Sequence, residues 1–232
     1  MAPHDRPGRD EFATWNEAMV ERYDIDRYYE RSHRIVRWLE RRRLALLRAV
    51  AQPRADDQVL EVGCGGGHVL ERFADSARTG IDLSPSMIVR SLRRLGPSVN
   101  LLRGSAEDLP FADGSFEIVL CTEVLEHTRE PRRVIEELMR VAAPGARVVV
   151  SIPNERNIDR AKRAIRRVPG ARRLLKTLAD EGNEWHLHQF DEAHLRCIIE
   201  GVAEIRTLKG VPYDVVPIRF VALLRRVGDA AV

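Results

Sequence analysis

Apolar residues recur through residues 31–51 at Ile35, Val36, Leu39, Leu46, Leu47 and Val50, with Arg37 and Arg41 to Arg43 interleaved. Spacings of three, four and seven predict an amphipathic helix. Pro53 closes it, and the short apolar run 58–62 predicts a strand ending at Gly63, Gly65, Gly66 and Gly67. The pattern then predicts a helix over 69–74, a strand over 78–83 and a helix over 85–95 with Pro85 in its first turn. Strands follow at 99–103, 116–121 and 147–152, with a helix over 131–141 between the last two. Parallel strands need crossovers of this length, so the alternation predicts a mainly parallel sheet with helices on both faces. Two β-rich runs, 204–209 and 215–224, are separated by Gly210 and Pro212 and leave no room for a helix. They predict a closing antiparallel hairpin.

Composition adds boundaries. A chain of 232 residues, 44% apolar and without an apolar run of membrane-spanning length, reads as one soluble α/β domain. Residues 1–10 carry Pro, Gly and charges but no hydrophobic signal region, so the expected location is the cytoplasm. Cys64, Cys121 and Cys197 are far apart and odd in number, which predicts core packing rather than a disulfide framework or structural zinc. The pattern divides the chain into an N-terminal helical cover (1–57), a ligand-binding core (58–154), a basic helical insertion (155–183) and a C-terminal helix with the closing hairpin (184–232).

The sharpest chemical signal is Val59-Leu-Glu-Val-Gly-Cys-Gly-Gly-Gly-His68, a strand, a tight glycine turn and a helix start. Such a turn lets the backbone approach a ligand without interference from Cβ atoms. The dinucleotide fingerprint would need its third glycine at position 68, where this chain has histidine. Glu61, two residues before the turn, would oppose a pyrophosphate and suits a ligand carrying positive charge. Asp82 ends the second predicted strand, about twenty residues after the first glycine, where an acidic side chain accepts hydrogen bonds from ribose hydroxyls.

Six segments in order, Glu61-Val-Gly-Cys-Gly-Gly-Gly67, Gly80-Ile-Asp-Leu-Ser-Pro-Ser-Met87, Ala106-Glu-Asp-Leu-Pro-Phe111, Asp113-Gly-Ser-Phe-Glu117, Val124-Leu-Glu-His127 and Ala143-Pro-Gly-Ala146, resemble the successive motifs of class I S-adenosylmethionine-dependent methyltransferases. The resemblance spans residues 59–154. It implies a Rossmann-like seven-stranded mixed sheet, mostly parallel with an antiparallel last strand, and S-adenosyl-L-methionine as cofactor. It also implies that Glu61, Gly63, Gly65 and Gly67 hold the methionyl end and that Asp82 takes the ribose. Leu83 and Met87 would flank the adenine, Ala106 and Glu107 would line its edge, and Thr122 would close the pocket at the end of the fourth strand. The sequence departs from the family pattern at Ser105, where an Asp often accepts from the adenine amino group, and at Glu117, where the family usually has Asp.

Methyl transfer from a sulfonium expels a neutral thioether, so the main demand is alignment of acceptor and methyl. A hydroxyl or ammonium acceptor must also lose a proton, for which histidine has a suitable pKa. His127 follows the fourth strand. His186 and His188, in Glu184-Trp-His-Leu-His-Gln-Phe190, are two apart, so an extended segment would turn both toward one acceptor, with Trp185 and Phe190 as an apolar wall. Asn154 could orient an acceptor or form an Asx turn. Two histidines without a third nearby ligand do not make a metal site, and no metal is expected.

The insertion carries Ile158, Ala161, Ile165 and Val168 as a helical stripe among Arg160, Lys162, Arg163, Arg166 and Arg167, with Arg172, Arg173 and Lys176 beyond Pro169-Gly170. A basic amphipathic helix can lie on an anionic membrane surface or hold an acidic substrate; alternatively it is a lid with solvated arginines. Aromatics are not interleaved and the net charge is only +3, which speaks against nucleic acid. Residues 15–29, with Tyr23, Tyr28 and Tyr29, read as a further cover over the cofactor. The expected function is methyl transfer to a small or lipophilic acceptor, which leaves oligomeric state open. The rivals are an NAD(P)-dependent oxidoreductase and a non-catalytic protein that binds the same cofactor.

Overall fold

The computed structural model describes residues 8, 11–23, 29, 32–167 and 185–229. Among them, seven strands form one sheet: β1 (Gln58–Val62), β2 (Ala77–Asp82), β3 (Asn100–Arg103), β4 (Phe116–Thr122), β5 (Ala142–Pro153), β6 (Ala203–Val211) and β7 (Arg219–Arg226). Their order is β3-β2-β1-β4-β5-β7-β6, with β7 antiparallel to both β5 and β6 and the first five strands mutually parallel. The chain steps outward from β1 to β3 and then returns to lay β4 on the other side of β1. This reversal opens a crevice beyond the carboxyl ends of β1 and β4, the place where ligands of such sheets bind.

The helices among the described residues are α1 (Phe12–Arg22), α2 (Arg34–Ala51), α3 (Pro85–Leu95), α4 (Pro131–Val141), α5 (Glu155–Arg166) and α6 (Glu192–Ile199). Side chains alternate across the central strands with period two, so each face receives its own core. Val59, Ile118, Leu120 and Val149 meet Leu44 and Leu47 of α2, with Ile88 and Leu95 of α3 packed alongside. Leu60, Val119 and Val150 meet Val134, Ile135 and Leu138 of α4 and Leu195 and Ile198 of α6. The helix α3 starts where the sequence places it: Ser84 Oγ accepts from Met87 N at 3.1 Å and Pro85 occupies the first turn.

Four details differ from the pattern-based expectation. Residues 69–74 make a single 3-10 turn, Leu70–Phe73, rather than an α-helix. The carbonyls of Leu70 and Arg72 are taken by the guanidinium groups of Arg78 and Arg48, which removes them from any longer helical ladder. Strand β5 starts five residues early, directly after α4, because Ala142 still pairs with Phe116 across an irregularity in the ladder. Strand β7 starts at Arg219, leaving Val215 and Val216 in the connecting loop, 90% and 62% exposed. Pro217 has no N–H to give to a ladder there. Of the cysteines, Cys64 and Cys121 are buried as expected, whereas Cys197 is exposed. No helix among the described residues is long and apolar enough to cross a membrane.

Candidate active site

The glycine loop leaves β1 in a conformation that only glycine adopts without strain. Gly63, Gly65 and Gly67 have φ values of +70°, +49° and +82°. A Cβ on Gly63 would lie 2.3 Å from Val124 Cγ2, so the loop sits hard against the segment after β4. At Gly65 a Cβ would meet nothing within 4 Å, which leaves that stretch of backbone open for a ligand. The loop is tied to β2 by Asp82, whose Oδ2 accepts from Gly65 N at 2.8 Å and whose Oδ1 accepts from Ser84 N at 2.9 Å. Beneath it lies Glu61, 1% exposed, accepting from Leu70 N at 3.2 Å and hydrogen-bonded to the side chain of Thr122. Burial raises the Glu61 carboxyl well above the usual carboxylate range, with Asp82 adding repulsion, and burial raises Asp82 as well. Two buried carboxyls at the loop, with the nearby Arg43 guanidinium offsetting only part of the burial of Glu61, favour a cation over a phosphate.

Beside the loop, Met87 is buried with Val20 of α1 and Trp185, and Trp15, Met19 and Tyr23 pack around them. Tyr23 stacks on Trp185 with centroids 6.1 Å apart. Leu83 is half-buried next to Asp82, and Ala106 packs against the core. Ser105 Oγ accepts from Glu107 N at 3.1 Å and stands where the adenine edge was expected. Glu107 Oε1 accepts from Arg129 N (2.8 Å) and Glu130 N (3.0 Å), so its carboxylate joins this turn to the start of α4. Tyr29 stacks on His68 at 3.9 Å, and Tyr28 lies outside the described residues.

On the other side, the corner after β4 is held by a ring of charges that the sequence pattern did not single out. Arg43 Nε donates to Glu40 at 2.9 Å, and Arg219 donates to Glu40 and to Glu123, both at 2.7 Å. Ser151 Oγ closes the ring, donating to Glu123 at 2.9 Å and accepting from Arg43 at 3.3 Å. Glu123 itself is held at φ +55°, a strained value for a side-chain-bearing residue. The two guanidinium groups keep its carboxyl below the usual range in spite of burial.

Next to this ring, Glu126, His127 and His186 converge, one ligand-type atom of each lying within 4.8 Å of the others. His186 Nδ1 meets Glu155 Oε1 at 2.6 Å, and His127 Nδ1 donates to the Trp185 carbonyl at 3.3 Å. The Glu126 carbonyl accepts from Leu187 N and His188 N, which fastens residues 186–188 to the corner. That double tie bends the segment, so His186 and His188 do not share a face. His188 Nε2 is instead hydrogen-bonded to the Arg129 carbonyl at 3.3 Å, near Phe190 and His194. Phe190, expected in an acceptor wall, is 1% exposed within the main core. Asn154 caps α5, accepting from Asn157 N and donating to the Pro217 carbonyl, the Asx-type alternative. Burial pushes His127 down to about 3, with the neighbouring His186 ring as a second cause. Glu126 is raised well above the usual range by burial, then by the carboxylate of Glu123.

Comparison with known proteins gives the family. A family model described as a methyltransferase domain matches residues 60–150. A ubiquinone biosynthesis O-methyltransferase of Thiobacillus denitrificans is 33% identical over 215 residues, 88% of this chain and 87% of that protein. The chain belongs to the S-adenosylmethionine-dependent methyltransferases. Norajmaline N-methyltransferase of Rauvolfia serpentina is 32% identical over 131 residues, 53% of this chain, and the chain spans under half (44%) of that relative's length. A methyltransferase structure from Mesorhizobium loti shares the fold, with a TM-score of 0.60 at 20% identity over 78% of this chain and 96% of that one. The cofactor of this methyltransferase is S-adenosyl-L-methionine. The structure suits it: an open glycine backbone, two buried carboxyls beside the loop, and an apolar shelf at Met87.

Proposed function

We propose that this methyltransferase moves a methyl group to a hydroxyl of a small lipophilic acceptor bound between the 123–127 corner and Trp185. In this reading Gly63, Gly65, Gly67, Glu61 and Thr122 surround the methionyl end, Asp82 accepts from the ribose, and Leu83, Met87, Ser105 and Ala106 frame the adenine under α1. The cofactor supplies an electrophilic methyl on a sulfonium, which leaves as a neutral thioether. The chain's task is to align the acceptor oxygen and remove its proton. The observation that carries the reading is Trp185, which packs on Met87 on the cofactor side and lies 4.5 Å from the His127 ring on the other. One aromatic plane therefore spans both halves of the pocket. His127, its pKa pushed down to about 3 by burial, is too weak a base to take that proton alone, and it stands in a cluster with His186 and Glu126. His188 stands apart from it.

The hydroxyl acceptor is supported by the similarity to an enzyme named as an O-methyltransferase of ubiquinone biosynthesis over nearly the whole chain. The test is to incubate the protein with S-adenosylmethionine and phenols, catechols and amines, with and without isoprenoid tails, and follow S-adenosylhomocysteine and methylated product by mass spectrometry. Methyl ethers are expected, formed faster from tailed acceptors. Methylated amines without any methyl ether would overturn the choice of acceptor atom.

Peripheral membrane contact is a second element of the reading, favoured by one observation. The loop between β6 and β7 presents Tyr213, Val215 and Val216 to solvent beside Trp38, with Arg42 over both aromatic rings at 5.5 and 5.3 Å. Arg219↔Pro153 pairing sets this loop at the carboxyl end of β5, the edge of the sheet that holds the pocket.

A further inference from the structure

We propose that Glu126, His127 and His186 form a divalent transition-metal site at the inner end of the acceptor pocket, with Glu155 and the Trp185 carbonyl orienting the two imidazoles. An open position on the ion takes the acceptor oxygen; that last clause rests on the function proposed above, and the site itself does not.

The argument begins with an orphan. Glu126 is 1% exposed, and its Oε2 has no hydrogen-bond partner among the described residues. A buried carboxyl oxygen without a donor is costly in either protonation state, and native folds seldom leave one without a purpose. A cation between this oxygen and the two imidazoles resolves the cost.

The tautomers follow from the partners. A carbonyl can only accept, so His127 carries its proton on Nδ1, facing Trp185. Glu155 at 2.6 Å fixes the proton of His186 on Nδ1 in the same way. Each ring is left with its lone pair on Nε2. Imidazoles that donate Nδ1–H to a carboxylate or a backbone carbonyl are how metal-ligating histidines are held. Glu155 is in this account a positioning residue.

One donor atom of each residue lies within 4.8 Å of the others. Ligand bonds of about 2.0–2.2 Å put donor atoms roughly 3.3–4 Å apart, so side-chain rotations on the order of an ångström bring the three residues to an ion. Two imidazoles and one carboxylate suit Zn²⁺, Mn²⁺, Fe²⁺ or Co²⁺ better than Mg²⁺ or Ca²⁺, which prefer all-oxygen shells. Three protein ligands leave at least one position open, as in sites that polarise a bound oxygen.

The sequence-based expectation of no metal rested on the lack of a third ligand near His186 and His188. The fold supplies Glu126 and His127 across the Glu126 carbonyl bonds to residues 187 and 188. In the transfer step, the ion-bound hydroxyl gives its proton to solvent water, its oxygen forms the new O–CH₃ bond, and the S–CH₃ bond breaks to leave the thioether. No electron is exchanged with the ion.

The test uses the full chain, stripped with a chelator and titrated calorimetrically with Zn²⁺, Mn²⁺ and Mg²⁺, with bound metal counted by elemental analysis. One Zn²⁺ or Mn²⁺ per chain is expected, with Mg²⁺ far weaker. Glu126→Gln and His186→Ala should each weaken binding by about 100-fold, and Glu155→Gln by roughly 10- to 100-fold. S-adenosylmethionine affinity, measured in parallel, should stay within about twofold and so report that each variant is folded. Absence of stoichiometric binding, or binding that survives Glu126→Gln and His186→Ala undiminished, would overturn the site. An ion bound one per chain in a protein that methylates no hydroxyl supports the site and overturns the acceptor reading; methyl ether formation by a metal-free chain supports the acceptor reading and overturns the ion's hold on the acceptor oxygen.

Discussion

Gly63 and Gly65 share a left-handed backbone and differ in what lies beside them. Alanine at either position costs about 1–2 kcal/mol for the left-handed conformation. At position 63 the new Cβ also meets Val124 Cγ2 at 2.3 Å, an overpacking of roughly 1–3 kcal/mol more. Urea unfolding should therefore show Gly63→Ala as the less stable variant, with Val124→Ala returning part of the loss. Gly65→Ala should stay well folded yet lose about 10-fold or more in S-adenosylmethionine affinity, because its free space is the ligand's. Equal stability of the two variants would contradict this account of the loop. His127 yields a prediction with a definite sign. Its pKa is lowered from an ordinary 6.5 to about 3 by burial, so below pH 6.5 the unfolded chain takes up a proton that the folded chain refuses. Stability from this group is full above pH 6.5 and is lost as pH falls toward 3. Relative to His127→Asn, the metal-free wild type should lose up to about 1.4 kcal/mol per pH unit between pH 6.5 and 5. A difference that stays constant over that range would show the ring protonated inside the fold.

The helix α2 illustrates both what an element's sequence reveals and what it hides. Its apolar spacing located it to within three residues, and the same reasoning located β1, α3 and α4. Yet Glu40 is not singled out by that spacing and Arg43 figures only among its interleaved arginines, although Val36, Glu40, Arg43 and Leu47 follow one another at helical spacing and all four are buried. Charges on a buried stripe were the available signal. Their partners, Glu123, Ser151 and Arg219, lie far along the chain and become neighbours only when β4, β5 and β7 assemble. The loop glycines and Asp82 were legible because their geometry is local to a strand and a turn. The meeting of Glu126 with His186 was not, since it depends on backbone bonds between segments sixty residues apart in order of magnitude. The ring also makes an element-level prediction. Arg219→Met leaves Glu40 and Glu123 short of a buried partner and should cost about 3 kcal/mol. Replacing Glu40 and Arg43 together by Met and Leu removes one charge of each sign, and should cost less than Glu40→Met alone. Chemical denaturation of the three variants tests it; additive losses in the double replacement would mean that the ring's charges act independently.

At the scale of the whole molecule, one edge of the sheet gathers the pocket, the exposed loop 212–218 and the start of α5. Arg160 and Arg163 of α5 and Arg167 just past its end are exposed, as are Ala161 and Ala164 on the same helix; residues 168–184, which hold Val168, Arg172, Arg173 and Lys176, lie outside those described. Trp38 and Tyr213 add aromatic rings with Arg42 against both, a combination suited to the headgroup region of a bilayer. If a lipophilic acceptor enters from a membrane, this edge is where the protein must touch it, because the opposite edge lies a full strand length from the pocket. The expected outcome is co-sedimentation with vesicles containing phosphatidylserine, weak association with pure phosphatidylcholine, and release as salt rises from about 0.1 M to 1 M and shortens the screening length from roughly 10 to 3 Å. Each arginine near such a surface contributes about 1 kcal/mol, so Arg160→Glu with Arg163→Glu should lower vesicle affinity by about 10-fold or more. Trp38→Ala should weaken binding to the same vesicles while leaving the salt dependence in place, because the ring contributes burial rather than charge. Turnover of water-soluble phenols by both variants should match the wild type, since neither change reaches the pocket. Retention on neutral vesicles at high salt would point instead to a purely apolar contact, and no retention on any vesicle would remove the membrane from the acceptor's route.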